Sequence, residues 1–150
     1  MIVADTSALV AIAFGEPERE ALLRTIDQAD KGLVSTVSVV EMRMVIHGRR
    51  GQRAVILMDD LLRLPVFELA APGPEEMDAA YAAFVAFGKG SGHPASLNFG
   101  DVFSYALAKV RGLPLLFKGK DFAQTDIAIA LVQTWRVRLN LAPCCPAGNT

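Results

Sequence analysis

Short apolar segments of strand type alternate along this chain with longer segments of helical type. Strands are predicted at residues 2–4, 32–35, 66–69 and 114–117, with residues 127–132 as a candidate fifth strand. Strands this short, separated by helices, are typical of βα units, because parallel neighbours need a long crossover connection. The pattern therefore predicts an α/β fold built on a mainly parallel sheet.

Capping and stop signals place the predicted helices. Helices are predicted over residues 8–14, 18–29, 36–47, 52–64, 75–87 and 99–110. Thr6 or Ser7 is predicted to cap the first helix, Gly48 to end the third, and Gly112 to end the last. The chain contains neither a linker nor an internal repeat. We therefore expect one domain over residues 1–142, followed by a loose tail over residues 143–150.

Composition and charge exclude several classes of protein. Hydrophobic residues make up 52% of the chain and charged residues 21%, which excludes a disordered chain. No apolar run approaches the ~18 residues of a membrane span, and the first residues lack the pattern of a secretion signal, so we expect a cytoplasmic protein. The net charge is −1, so any affinity for nucleic acid must come from a local basic patch. The adjacent Cys144 and Cys145 exclude a disulfide framework and a four-cysteine zinc site.

Four acidic residues occupy positions that such a fold would bring together. Asp5 follows the first strand directly, and Asp121 follows the fourth strand by a few residues, so both lie at the edge where parallel strands end. Asp101 lies within one turn of the predicted helix start, and Asp126 is a further candidate. Spacings of three and four predict one inward helix face, composed of Val37, Val40, Glu41, Met44 and Val45.

Each of these acids also has an ordinary structural explanation. Asp5 would help to cap the first helix, and Asp121 would occupy a turn. Two pairs have the spacing of a capping box: Ser38 with Glu41, and Asn98 with Asp101. Any single acid is explained in this way, whereas the joint arrangement of four acids at strand ends and inward helix faces is not.

A cluster of carboxylates has a specific chemistry. Two carboxylates ~4 Å apart repel by ~4 kcal/mol at an effective dielectric constant of ~20, so the cluster needs either a shared proton or a divalent cation. Oxygen ligands suit Mg²⁺ or Mn²⁺, and no paired His or Cys accompanies the acids to favour zinc. Such a site favours hydrolysis of phosphodiesters. We expect Asp5 and Asp101 as the central ligands, with Glu41 and Asp121 completing the shell.

Four segments, in this order, resemble the acidic motifs of one family. They are residues 1–9 (MIVADTSAL), 35–41 (STVSVVE), 97–108 (LNFGDVFSYALA) and 115–127 (LLFKGKDFAQTDI). Together they span roughly residues 1–130 and resemble PIN-domain ribonucleases, in particular VapC-like toxins of bacterial toxin–antitoxin pairs. Lys118 and Lys120 depart from the family pattern by placing two positive charges beside Asp121.

The resemblance implies a three-layer α/β/α PIN-like domain with a central parallel sheet. It implies cleavage of RNA that depends on Mg²⁺, with Mn²⁺ as an alternative. The implied acidic cluster consists of Asp5, Glu41, Asp101 and Asp121, with Asp126 as a supplementary acid. The implied partners are an antitoxin, whose tail lies across the active cleft, and a second copy in a homodimer.

Two functions of other classes remain open on the sequence. A non-catalytic PIN-fold interaction module would have lost one of the four acids, and none is missing. A receiver-like phospho-acceptor needs an Asp at the end of a middle strand, and residues 66–69 offer none.

Two surface features also have two interpretations each. Four arginines cluster around the end of the helix that carries Glu41. They would either bind RNA phosphates or simply occupy a solvated helix C-terminus, where positive charge is favourable. They are Arg43, Arg49, Arg50 and Arg53. The apolar residues 79–87 would belong either to the core or to a dimer surface.

Overall fold

The computed structural model describes residues 1–130 of the chain. Within them, the elements in chain order are β1 (Ile2–Ala4), α1 (Thr6–Ala13), α2 (Arg19–Gln28), β2 (Gly32–Ser35), α3 (Thr36–Arg50), α4 (Gln52–Leu62), β3 (Phe67–Ala70), α5 (Pro74–Phe87), α6 (Phe99–Arg111) and β4 (Leu115–Leu116), followed by a 3-10 turn (Phe122–Gln124). Strands and helices alternate as the apolar pattern predicts, and the predicted tail at residues 143–150 lies outside the described residues.

The four strands form one parallel sheet in the order β3-β2-β1-β4. Outside these strands, Ile129 forms a single parallel bridge with Leu115. The segment predicted as a fifth strand therefore pairs with the sheet at one point only, and its last residues, 131 and 132, lie outside the described residues. All four strands end at the same edge of the sheet, which is where ligands bind in open α/β folds.

Successive residues of β1, one of the two inner strands, face two separate cores. Ile2 and Ala4 pack into a core formed with α1, α2, α3 and α4, whereas Val3 packs into a core formed with α5 and α6. Because side chains alternate across a strand, the sheet is covered on both faces. This arrangement confirms the three-layer α/β/α architecture. No helix within residues 1–130 is both long and apolar enough to cross a membrane.

Two of the predicted capping and stop signals were wrong, and the other helix boundaries agree with the prediction to within two residues. The N-cap of α1 is Asp5, whose carboxylate accepts a hydrogen bond from the Ser7 N–H at 2.8 Å; the prediction of Thr6 or Ser7 as the cap was wrong. Helix α3 continues past Gly48 to Arg50. A glycine does not end a helix by itself, and the chain turns at Gly51, whose φ of 77° lies in the left-handed region.

Candidate active site

Asp5 joins the end of β1 to the start of α1. Its side chain is 1% exposed. Oδ2 accepts hydrogen bonds from the Ser7 N–H at 2.8 Å and from the Ser7 hydroxyl at 2.6 Å. The Ser7 Oγ in turn accepts a bond from the Lys118 N–H at 3.0 Å, which connects Asp5 to the loop after β4. Oδ1 has no hydrogen-bond partner among residues 1–130. Because a buried charge is costly unless it is paired, the carboxylate of Asp5, with one oxygen unpartnered, needs a further positive group.

Asp101 lies in the first turn of α6. Its Oδ2 accepts a hydrogen bond from the Asn98 N–H at 2.8 Å, and its own N–H donates to Asn98 Oδ1 at 2.8 Å. This is the capping box that the sequence spacing imitates. Burial raises the pKa of Asp101 to about 7, helped by the charges of Asp5, Glu41 and Asp121 and opposed by the bond from Asn98. The four predicted acids therefore interact electrostatically at Asp101.

Glu41 reaches the site because α3 and α6 approach each other through small residues. The Ser38 hydroxyl donates a hydrogen bond to the Gly100 carbonyl at 2.8 Å and lies 3.1 Å from the Ser104 hydroxyl. Gly100 also leaves room for the Glu41 carboxylate, since a Cβ at this position would overlap Glu41 Oε2. Ser38 and Gly100 are positioning residues that were not predicted from the sequence. The sequence feature that could have indicated Gly100 is the occurrence of a glycine beside an acid in the first turn of an otherwise apolar helix.

Two expectations about α3 were wrong. Ser38 lies inside the helix, which begins after Ser35, so Ser38 and Glu41 do not form a capping box. The predicted inward face is also displaced, because Val40, Met44 and Val45 are 53%, 70% and 43% exposed. The residues of α3 that are buried are Ser38, Val39, Met42 and Ile46. Glu41 borders this buried face and is half-buried beside Gly100.

The two acids after β4 have different surroundings. Asp121 is exposed before the 3-10 turn and contributes to raising the pKa of Asp101. Asp126 accepts hydrogen bonds from the Tyr105 hydroxyl at 2.6 Å and from Lys109 Nζ at 2.7 Å. Those bonds, the one from Lys109 first, lower its pKa. Asp126 is therefore held by a phenol and an ammonium group of α6, and its place in the acidic cluster stays a prediction.

Asp5, Glu41 and Asp101 line a single open cleft with a volume of about 460 Å³. The other lining residues are Thr6, Ser7, Val10, Phe14, Glu16, Met42, Val45, Ile46, Arg49, Arg50, Asn98 and Lys118. Lys118 is paired with Glu16 and, at 3.3 Å, with Glu18, so its charge is directed at the start of α2. The cleft is acidic at the strand ends and basic toward the end of α3.

The donor set fits a hard divalent cation. Its oxygens are all carboxylate oxygens, Asp5 Oδ1 lacks a partner within the described residues, and burial together with the neighbouring carboxylates raises the pKa of Asp101. Within residues 1–130, however, no three Asp, Glu, His or Cys side chains are arranged closely enough to enclose an ion. Asp5, Glu41 and Asp101 thus line one cleft, and their charges act on one another. Their side chains would have to move to surround a single cation.

The raised pKa of Asp101 makes the stability of the metal-free protein depend on pH. The pKa rises from 3.8 to about 7 on folding, so the contribution of this group is fully present below about pH 4 and is lost as the pH rises to 7. We expect Asp101→Asn to raise the melting temperature in EDTA more at pH 8 than at pH 4. As a comparison, Asp126→Asn is expected to lower it at pH 8, because the pKa of Asp126 is lowered by folding. Equal effects of Asp101→Asn at both pH values would contradict this assignment.

The sequence and the fold both have well-described relatives. The family model described as PIN domain matches residues 2–128. The chain is 45% identical over 127 residues to ribonuclease VapC30 of Mycobacterium tuberculosis, covering 85% of this chain and 96% of that protein. Its fold resembles VapC20 of Mycobacterium tuberculosis, described as a Sarcin-Ricin loop cleaving toxin, with a TM-score of 0.68, 18% identity, and 89% and 100% of the two chains covered. It also resembles a toxin-antitoxin complex from Klebsiella pneumoniae, with a TM-score of 0.57, 15% identity, and 82% and 91% covered.

These matches decide between the interpretations of the fold that the sequence left open. A PIN domain is incompatible with the receiver-like alternative, and the acidic positions of all four motifs fall within the matched residues. Because the family model covers most of the chain and a named VapC protein is nearly half identical to it, the chain belongs to the PIN-domain family, among its VapC-type members.

Proposed function

We propose that this protein is the toxin of a toxin–antitoxin pair and an endoribonuclease that hydrolyses RNA with Mg²⁺ or Mn²⁺ at its acidic cluster. The relatives named VapC ribonucleases support the activity. The observation that carries the site is the meeting of Asp5, Glu41 and Asp101 in one cleft, with the pKa of Asp101 raised by burial and by the charges of its acidic neighbours. RNA as the substrate makes the cytoplasm the expected location.

Each acid has a distinct proposed role. When bound, a divalent cation supplies positive charge for a phosphate and lowers the pKa of water. Asp5 and Asp101 would hold it, because Ser7 fixes one oxygen of Asp5 and Asn98 fixes one oxygen of Asp101. Glu41 and Asp121 would complete the shell directly or through water. Either of these two, being less tightly held, would orient the attacking water and accept its proton.

The activity is tested by incubating the purified protein with total RNA. We expect cleavage with Mg²⁺ or Mn²⁺ and none with EDTA, with activity restored when the cation is added in excess. A calorimetric titration with Mn²⁺ in the absence of RNA gives a second readout. The absence of both cleavage and heat of binding would favour the non-catalytic interaction module instead.

The proposed partners are RNA, an antitoxin and a second copy of the chain. The resemblance to a toxin-antitoxin complex supports the antitoxin. The homodimer is supported by an apolar groove of about 510 Å³ between α5 and α6. Its rim exposes Tyr81 by 71% and Phe84 by 50%, and Lys89 is the only charged side chain among its lining residues. Large exposed aromatic groups of this kind mark interfaces.

The dimer prediction is tested on that rim. Phe84→Glu places a charge in the groove, and we expect it to convert a dimer to a monomer in light scattering at micromolar concentration. Ile56→Glu is the matched control, because Ile56 is also 50% exposed but lies on α4, away from the groove. A wild-type protein that is already monomeric, or a Phe84→Glu variant that stays dimeric, would contradict this interface.

A further inference from the structure

The acidic end of the cleft cannot by itself attract RNA. Asp5, Glu41 and Asp101 carry the same sign of charge as the phosphates of the substrate, and the chain as a whole has a net charge of −1. Affinity for RNA depends largely on positive groups that neutralise phosphates. The residues that hold the strand on either side of the cleaved bond must therefore form a local basic patch.

Such a patch lies at the other end of the same cleft. Glu41, Val45 and Arg49 follow one another at intervals of four residues on α3, and all three line the cleft together with Arg50. Eight residues of helix place Arg49 about 12 Å from Glu41 along the axis. A strand whose cleaved bond lies at the acidic cluster would therefore have neighbouring phosphates along this stretch of α3.

The charges of Arg49 and Arg50 are available to a ligand. Within residues 1–130, neither guanidinium has a carboxylate within 4.0 Å, and residues 131–150 contain no Asp or Glu. By contrast, Arg43 is paired with Asp59 at 2.8 Å, and Lys118 is paired with two glutamates. The two arginines at the end of α3 are thus the cleft's unpaired cations within the described residues.

Phe14 positions one of these arginines. The Arg50 guanidinium lies over the Phe14 ring, 4.2 Å from its centre. This cation–π contact holds the planar group in place, and its N–H donors, which have no hydrogen-bond partner within residues 1–130, can bind a phosphate in two-point fashion. A favourable helix C-terminus explains why arginines occur at the end of α3, but not why one of them is stacked at the edge of the cleft.

We propose that Arg49 and Arg50 bind phosphates of a single-stranded RNA segment that extends from the acidic cluster along α3. The apolar side of the cleft, formed by Val10, Phe14 and Val45, suits the faces of unpaired bases, which are the parts of RNA that proteins contact by stacking. This inference rests on the proposed ribonuclease function and adds the path of the substrate.

The test measures binding separately from cleavage. A fluorescently labelled single-stranded RNA is titrated with the full-length protein in EDTA, which keeps the RNA intact and removes any contribution of a divalent cation. The variants are Arg49→Gln with Arg50→Gln, and Arg53→Gln as the matched control. Arg53 is an exposed arginine three residues further along the chain that does not line the cleft. Melting temperatures verify that each variant is folded, and Arg50→Lys serves as a second variant that keeps the charge if the double variant unfolds.

We expect the double variant to bind the RNA at least about tenfold more weakly. The slope of log Kd against log salt concentration should fall by about 1.4, because each contact to a single-strand phosphate contributes about 0.7. Arg53→Gln should change neither quantity appreciably, and Arg50→Lys should retain most of the salt dependence. Cleavage by the double variant with Mg²⁺ should show a higher KM with little change in kcat.

Three results would overturn the proposal. The first is unchanged RNA affinity and salt slope in the double variant. The second is an equal loss in Arg53→Gln, which would indicate a general charge effect. The third is unchanged RNA binding together with lost binding of a glutamate-rich peptide, which would assign these arginines to an acidic protein partner. A lack of cleavage by the wild type with intact RNA binding would instead count against the proposed function alone.

Discussion

The Asp5→Asn variant is expected to lose at least about 10³-fold in RNA cleavage while keeping its fold. A bound cation contributes several kcal/mol of transition-state stabilisation, and a thousandfold loss corresponds to about 4 kcal/mol. Asn offers one neutral oxygen in place of a carboxylate, so it removes charge from the position whose Oδ1 has no protein partner within the described residues. Its side chain is nearly the same size, so packing around β1 and α1 should be preserved.

Stability separates this chemical effect from unfolding. Asn is as good an N-cap as Asp, so the hydrogen bonds that Ser7 donates at this position have an acceptor in the variant. In EDTA we expect a melting temperature equal to or above that of the wild type, because an unpartnered buried charge has been removed. With Mn²⁺ the wild type should be stabilised and the variant should not, since only a protein that binds the ion gains stability from it.

Asp27→Asn provides the comparison for Asp5→Asn. Asp27 is an exposed acid on α2, so this change alters the net charge equally without touching the cleft. It should leave cleavage and the Mn²⁺ effect unchanged. Wild-type cleavage by Asp5→Asn, in a preparation free of host ribonucleases, would remove Asp5 from the proposed site.

The position of Asp5 follows from the sequence more directly than the position of Glu41. Asp5 and Asp121 follow from one rule, that parallel strands end at a common edge, and this rule holds however the helices pack. The position of Glu41 depends on how α3 is rotated. Hydrophobic periodicity selected Val40, Met44 and Val45 as the inward face, but all three are exposed. A second apolar stripe of the same helix, including Val39, Met42 and Ile46, is the one that is buried.

The rotation of α3 is set by contacts that an apolar pattern does not register. Ser38 bonds to the Gly100 carbonyl and approaches Ser104, so small polar residues bring α3 close to α6. A hydroxyl contributes nothing to a hydrophobic face, although a buried hydrogen bond specifies one orientation strongly because leaving it unmade is costly. The partners of Asp126 were not predictable for a related reason, since nothing in its neighbourhood in sequence indicates that Tyr105 and Lys109 of α6 hold it.

Gly100→Ala is expected to lower kcat/KM for RNA by roughly 10²-fold with little loss of stability. The new methyl group would overlap Glu41 Oε2 and lie 3.2 Å from Glu41 Cδ, whereas its distance from the Ser38 Cα would be an ordinary 3.5 Å. The backbones of α3 and α6 can therefore stay in place, and the flexible Glu41 side chain must move. Displacing a catalytic group by about 1 Å can cost 10²-fold in rate. Gly48→Ala is the control: its Cβ would meet nothing within 4 Å, so stability should rise by up to about 1 kcal/mol with unchanged cleavage.

A double-mutant cycle identifies Glu41 as the cause of the Gly100→Ala effect. Glu41→Asp shortens the side chain by one methylene, which withdraws the carboxylate from the space that the methyl group of the Gly100→Ala variant would occupy. If the loss in Gly100→Ala arises from this overlap, the two sites are coupled. The double variant should then lose far less kcat/KM than the product of the two single losses. Steady-state kcat/KM of the four proteins gives the coupling directly. Independent, multiplicative losses would mean that Gly100 serves the packing of α3 on α6 and that its lack of a side chain is not what admits Glu41 to the cleft.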